Sequence, residues 1–182
     1  MSSQPDRRAR FESLADVVFD SLQRYLHRRL DPEDASDAFA ETLLVIWRRI
    51  DEVPAGDVLP WCYAVARRVV ANQRRGNERR LRLVQRLSFE PPPPPVTVGS
   101  HGDPELEAAL DQLGEMDREI LRLWAWEGLE PREIAPVLGL TVNAATLRLS
   151  RAKKKLAVEL GAMRQDQDAI GHRTDDTPRS KR

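Results

Sequence analysis

Residues 129–156, LEPREIAPVLGLTVNAATLRLSRAKKKL, hold the side chains that point most directly to a chemistry. Arg148, Arg151, Lys153, Lys154 and Lys155 are five cations, with no acid anywhere in residues 146–156. Ala145, Leu149 and Ala152, extended by Leu156, recur at helical spacing and predict an apolar face opposite them. Upstream, Pro131 suits a first helical turn, where a missing amide hydrogen loses no bond. Ile134, Val137 and Leu138 line one side, Gly139 supplies a left-handed helix end, and Thr141 can cap the helix that follows. Two short helices around a tight turn, the second basic, are the sequence form of a helix-turn-helix, which lays its second helix in the DNA major groove. Asn143, Ala144, Thr146 and Arg148, toward the start of that helix, are the candidates for base contact, and Thr141 is counted with the same DNA-binding surface. Arg151, Lys153, Lys154 and Lys155 are the candidates for phosphate contact. The competing reading is a helical hairpin with a solvated basic face. Pro136 stands inside the first helix, where it removes a backbone bond.

A second basic block, residues 67–86, carries eight Arg against one Glu. Arg67 and Arg74 are seven apart, as are Arg68 and Arg75, so each pair stacks on one side of a helix two turns apart. Asn72 and Gln73 lie between them and offer amides that can read bases. Trp61 and Tyr63 precede the block, just after the Pro/Gly loop DEVPAGD. Aromatics beside a basic helix suit single-stranded or locally melted DNA, because any base can stack on an aromatic face. The alternative places Trp61 in a core. In LLVIW, residues 43–47, apolar side chains run right round a helix. One face can fill a core, leaving Leu44 and Val45 to meet another protein, unless the helix is buried on several sides.

The 29 basic and 29 acidic residues cancel, so the distribution of charge is what matters. Residues 31–41 hold five acids and residues 103–119 hold seven. Two basic blocks within a neutral chain are a footprint for a polyanion. Cys62 is the single cysteine, and the three His are far apart, so neither a disulfide nor a zinc cluster is expected. No metal or cofactor is called for. There is no nucleophile–base pair, phosphate loop or paired-acid pocket, which argues against an enzyme. The N-terminus lacks a signal-peptide core, and Leu43–Trp47 is the longest aliphatic or aromatic run. The expectation is a soluble cytoplasmic protein with no membrane insertion.

Helical periodicity dominates and strand signals are scarce, so the fold class expected is all-α. Phe11, Leu14, Val18, Leu22, Tyr25, Leu26 and Leu30 mark a first helix, broken by Asp31-Pro32. A second runs from about Glu33 to Ile50, with Phe39, Leu43, Ile46, Trp47 and Ile50 on one face. A third begins near Leu59, with Trp61, Val65 and Val69 inward. Pro91–Pro95 is a run of five prolines, incompatible with helix or central strand. Residues 88–104 therefore read as a flexible Pro-rich linker between two small helical domains, 1–87 and 105–160. Residues 161–182 read as a mostly disordered tail. In the second module Leu106, Leu110 and Leu113 open one helix. Asp117 is expected to cap another, which carries Ile120, Leu121 and Trp124 and closes at Gly128.

Three segments, in order, resemble the extracytoplasmic-function (group 4) sigma factors of bacterial RNA polymerase. DASDAFAETLLVIWRRI, residues 34–50, is similar to that family's clamp-binding helix, with Asp34, Asp37, Glu41, Thr42, Leu44 and Trp47 on matching positions. WCYAVARRVVANQRR, residues 61–75, resembles the family's WLYRIARNxxxDxxRR at Trp61, Tyr63, Ala66, Arg67 and Arg75. Residues 113–156 match the family's final segment at Arg118, Glu127, Gly128, Leu129, Glu133, Ile134, Ala135, Leu138, Gly139, Arg148, Leu149, Arg151 and Ala152, among others. The resemblance implies that the first module is sigma region 2, a helical bundle that docks on the polymerase clamp. Asp34, Asp37, Glu41, Leu44 and Val45 would make that contact. The same module would read and open the −10 element through Trp61, Tyr63, Arg67, Arg68, Asn72, Arg74 and Arg75. The second would be region 4, reading the −35 element through the helix-turn-helix. Core polymerase, promoter DNA and an anti-sigma factor are the partners implied. The chain departs from the family pattern at Ala40, Val45, Arg68, Asn72 and Asn143–Ala145. The alternative is a free-standing helix-turn-helix regulator with an N-terminal sensing or dimerising domain.

Overall fold

A computed structural model describes residues 4–87 and 103–173, with side chains over 4–82 and 103–163. The described residues form seven α-helices and no strand. They are α1 (Gln4–His27), α2 (Pro32–Arg48), α3 (Val58–Leu87), α4 (Pro104–Asp111), α5 (Glu115–Ala125), α6 (Pro131–Leu138) and α7 (Val142–Arg173), with a 3-10 turn at Ile50–Glu52. The all-α class is as expected. The five-proline run and the last nine residues lie outside the described part.

The local chemistry of the helix starts is plain. Three helices begin at an acid followed by proline: Asp31-Pro32, Asp103-Pro104 and Glu130-Pro131. The carboxylates of Asp31 and Asp103 accept from the amides of Asp34 and Glu105, each at 2.9 Å. Proline in the first turn pre-sets the helical angle and gives up no bond. At α6 the Glu133 carboxylate reaches back to the Glu130 amide at 2.8 Å, half of a capping box. Thr141 caps α7 as expected, its hydroxyl accepting from the Ala144 amide at 3.2 Å. Gly139 ends α6 at φ 67°, and Gly128 stands at φ 69° after α5. Both need the left-handed region that glycine enters at least cost.

α1, α2 and α3 wrap a core of Val18, Leu22, Tyr25, Leu26, Ala38, Ile46, Cys62, Ala66 and neighbours. Burial pushes the Cys62 thiol up to about 12, which leaves it an inert core group at neutral pH. α4 to α7 enclose Leu110, Ile120, Leu123, Ile134, Ala145, Leu149 and Ala152. The two cores are not separate, because the buried apolar residues form one connected cluster. α3 lies against α6, so the second module sits directly on the first.

Several sequence expectations are corrected. α1 begins at Gln4, a turn or more before the periodic apolar residues. Ile50 is buried, but it belongs to the 3-10 turn after α2. Gly114, not Asp117, stands at the N-cap of α5, and the Asp117 side chain is turned to α7 instead. Leu123 takes the core position on α5, while Trp124 is 42% exposed under Lys153, whose Nζ lies 3.3 Å from the ring centroid. α7 continues to Arg173, past Gly161, where the aperiodic tail was expected to begin. A helix already nucleated by packing propagates at one bond per residue, and a single glycine does not stop it.

Nothing crowds a Cβ at Gly139, so Gly139→Ala isolates the backbone term. It should lower stability by about 1–2 kcal/mol, read as a fall in the urea midpoint at unchanged slope.

Candidate nucleic-acid interface

α6 and α7 build the helix-turn-helix. Its inner side is Ile134, Val137, Leu138, Ala145, Leu149 and Ala152, all buried. The side turned to solvent carries Asn143, Thr146, Arg148, Arg151, Lys153, Lys154 and Lys155, with Ala144 half-buried at the edge and Thr141 exposed at the cap. These residues therefore spread round the part of α7 that is not packed inward, with Lys153 on the flank over Trp124 and Arg148 and Lys155 on the flank toward Asp117. Two of the cations are not free point charges. Asp117, 8% exposed, pairs with Arg148 Nη1 at 3.2 Å and Lys155 Nζ at 2.6 Å. One buried carboxylate thus fixes the start and the third turn of the basic face to α5. The Thr146 hydroxyl is engaged by its own helix, donating to the Val142 carbonyl at 2.9 Å.

Pro136, the residue that fits α6 poorly, is exposed. The carbonyl that it leaves without a helical partner is that of exposed Arg132, which water can serve. Its ring instead lines a groove with Trp61, Ala64 and Arg68 of α3. Surface exposure limits the cost, and contact with the first module gives the residue a place.

The candidates on α3 divide into three groups. Arg68, Asn72 and Arg75 are exposed, and Arg75 Nη2 donates to Asn72 Oδ1 at 2.6 Å. Arg67 and Arg74 face the second module across a cleft shared with Glu115 and Glu119. Arg74 pairs with Glu115 at 3.5 Å and donates to the Arg29 carbonyl at 3.3 Å. Trp61 is half-buried at the groove, with the Arg49 guanidinium 5.4 Å from its ring. Tyr63 corrects the expectation of an exposed aromatic. It is 3% exposed, with its ring 5.0 Å from that of Tyr25, because it falls on the α3 face that meets α1. Those core contacts close it off from any base.

On α2, Asp34, Asp37, Glu41 and Leu44 recur at steps of three and four along one side. Asp37, Glu41 and Leu44 are exposed, and Asp34 is half-buried within 3.4 Å of Asn77. Val45 lies off this stripe, partly buried against the core.

Sequence reading missed the most deeply set charges. Arg29, at the end of α1, is 3% exposed. Its Nε donates to both Glu119 oxygens at 3.2 and 3.1 Å, and its Nη1 to Glu127 at 3.0 Å and to the Tyr25 carbonyl at 2.9 Å. The guanidinium lies 3.6 Å from the Tyr25 ring centroid, and the Tyr25 hydroxyl donates to Glu119 at 3.1 Å. Arg28 adds a second contact to Glu127 at 3.2 Å. A signal was present: Arg29 is seven residues from Leu22 and four from Tyr25, so it interrupts an apolar stripe with a charge.

These features define an all-helical, two-module chain whose second module is a basic helix-turn-helix. Residues 104–156 match the family model described as sigma-70, region 4. Over 141 residues the chain is 29% identical to a probable RNA polymerase sigma factor, RfaY, of Xanthomonas campestris pv. campestris. That alignment covers 71% of this chain and 35% of the relative, so the chain spans about a third of the relative's length. Among solved structures, the sigma factor RpoE of Bartonella quintana, in complex with the anti-sigma factor NepR, superposes with TM-score 0.65 at 22% identity, covering 83% of this chain and 96% of that one. CnrH, in complex with the cytosolic domain of CnrY, gives TM-score 0.58 at 23% identity over 84% and 88%. These two likenesses show a shared fold. Residues 104–156 thus carry the sigma-70 region 4 pattern, and the chain is similar over most of its length to a probable RNA polymerase sigma factor.

Because Asp117 neutralises Lys155 and not Lys154, the two should differ on duplex DNA. Lys154→Ala should weaken binding at every sequence and reduce the slope of log K against log salt by about one. Lys155→Ala should move the slope by clearly less. Fluorescence anisotropy across a salt series checks both, and equal slopes would mean that Asp117 releases Lys155 on binding.

Proposed function

We propose that this chain is a promoter-specificity subunit. It binds core RNA polymerase and directs initiation at promoters with two recognition elements, in the cytoplasm and without catalytic activity of its own. The observation that carries the reading is the exposed basic face of α7, set on a helix-turn-helix that matches sigma-70 region 4 and joined to a second arginine-bearing helix, α3. One DNA-reading helix would serve a free-standing regulator. Two, on separate modules of one chain, fit a protein that holds a promoter at two places.

In this reading residues 105–160 take the upstream (−35) element. Asn143, Ala144 and Arg148 lie toward the bases, and Arg151, Lys153 and Lys154 toward phosphates. Residues 1–87 take the downstream (−10) element through Trp61, Arg67, Arg68, Asn72, Arg74 and Arg75. Trp61 supplies a face for an unstacked base, and Tyr63 keeps the helix in place from inside. The exposed stripe of Asp37, Glu41 and Leu44 on α2, flanked by Asp34, is the polymerase-docking surface. Residues 88–104 are the tether. RpoE and CnrH are each held by a protein partner in their solved complexes, and by that likeness an anti-sigma factor is a further partner. No cofactor is required, because DNA reading and opening here rest on charge, hydrogen bonding and stacking.

Transcription with purified core polymerase, on a genomic fragment library with start-site mapping, tests the whole reading. The expected result is initiation that depends on this chain, at sites sharing two spaced elements. Tight duplex binding by the chain alone, with no co-purification with polymerase, would instead identify a free-standing regulator.

A further inference from the structure

The DNA contacts proposed for α7 leave out Leu147, which stands in their midst. It is 49% exposed and outside the core. A single exposed leucine means little by itself. Its place on the helix gives this one its meaning. Leu147 lies two residues from Ala145 and two from Leu149, both buried. Two residues turn a helix by about 200°, so the isobutyl group points away from the core that holds α7. Asn143, four residues before it, and Arg151 and Lys154, four and seven after, share that outward side. Other candidates near the helix start are already engaged. The Thr146 hydroxyl donates to the Val142 carbonyl, and Arg148 is drawn to Asp117 on the flank. A helical leucine leans over the turn before its own Cα. Here that turn carries Asn143 and Ala144, and it belongs to the end that a recognition helix presents to base edges. Ala144 has only a methyl group, which leaves the leucine open on that side.

We propose that Leu147 is a specificity-determining residue, which reads the C5-methyl of a thymine in the major groove of the upstream element. The proposal rests on the reading that α7 enters a duplex groove, and it names the part of a base pair that is read there. A branched alkyl group has no hydrogen bond to offer. Pressed on the N7 and O6 of guanine, the N7 and N6 of adenine or the N4 of cytosine, it would take water from polar atoms and return nothing. The thymine methyl is the one apolar group that a base pair shows in the major groove. Against it, leucine and methyl both leave water, which is favourable. Arg151 and Lys154, on the same side of the helix, suit phosphates, which position a protein without choosing a sequence. The choice then falls to the side chains between them and the helix start, where Leu147 points straight outward.

The test uses the full chain, alone and with core polymerase, to select duplexes from a random-sequence library. Each thymine of the selected site is then replaced in turn by deoxyuridine, which lacks only the C5-methyl, and affinity is read by anisotropy. At one thymine the loss of the methyl should weaken binding about fourfold, as expected for one methyl group taken out of water. Leu147→Ala, at an exposed helical position, should keep native helicity and bind the thymine and deoxyuridine duplexes within about twofold of each other. Leu147→Met keeps an apolar side chain of similar reach and should retain the discrimination. A selected site without thymine, deoxyuridine tolerated at every position, or the same loss in Leu147→Ala overturns the proposal. Selection of no site in either arm also sinks the assignment of α7 to sequence reading. A methyl-dependent site, read through Leu147 by a chain that never joins polymerase, supports the leucine and overturns the promoter-subunit reading, so the two failures are told apart.

Discussion

Arg29 is the charge around which the two halves of this molecule are arranged. Removing a guanidinium from water costs several kcal/mol, recovered only when geometry and counter-charges are close to complete. Here most of that comes from two acids of the other module, one backbone carbonyl and the face of Tyr25, while Nη2 lies 3.1 Å from Glu119 but makes no hydrogen bond. Taking one partner away from such a group typically costs about 3–5 kcal/mol, because the remaining charge is left buried. The first module therefore ends in a group that is satisfied only when α5 is present. Tyr25 responds to the same setting: burial pushes its phenol above the ordinary range, and it donates to Glu119 as a neutral hydroxyl.

The same economy of charge runs through the second module. Asp117 holds Arg148 and Lys155, and Arg118 donates to the Leu110 and Leu113 carbonyls, closing the end of α4. A basic helix with five cations repels itself, and one buried carboxylate relieves two of them while leaving the helix face exposed. Arg122 shows the limit of this arrangement. Burial, followed by the nearness of Arg29, pushes its guanidinium below the ordinary arginine range. Glu107 at 3.5 Å and the Trp126 ring at 5.3 Å give it partial relief. The exposed cations of the second module thus stand on a small set of partly or fully buried ion pairs.

Function follows from how exposed and buried cations are divided. Those on α7 are all exposed, although Arg148 and Lys155 also pair with Asp117 and Lys153 lies over the Trp124 ring. Those on α3 are split between solvent and the second module.

The amino-acid sequence by itself determined the all-helical class, the helix-turn-helix and its cap at Thr141. Acid-proline pairs, Gly139, Thr141 and the three-and-four spacing of Ala145, Leu149 and Ala152 are local signals, and the backbone answers them locally. It also determined which face of α7 is basic, because a helix of known register leaves no other choice. The tertiary structure decided whatever depends on a neighbour distant in the chain. Tyr63 stands two residues from Trp61 in sequence, yet one is core and the other lines a groove, because two residues turn a helix by about 200° and α1 covers only one side of α3. Asp117 has the residue type of a cap and serves as a counter-charge, since α7 brings Arg148 and Lys155 to it from more than thirty residues away. Arg29 can be recognised in sequence only as a charge out of place on an apolar stripe. Its partners, Glu119 and Glu127, lie 90 and 98 residues further along the chain, and no spacing rule reaches that far. A buried charge is selected by the groups that fold around it, and that is a property of the packed molecule.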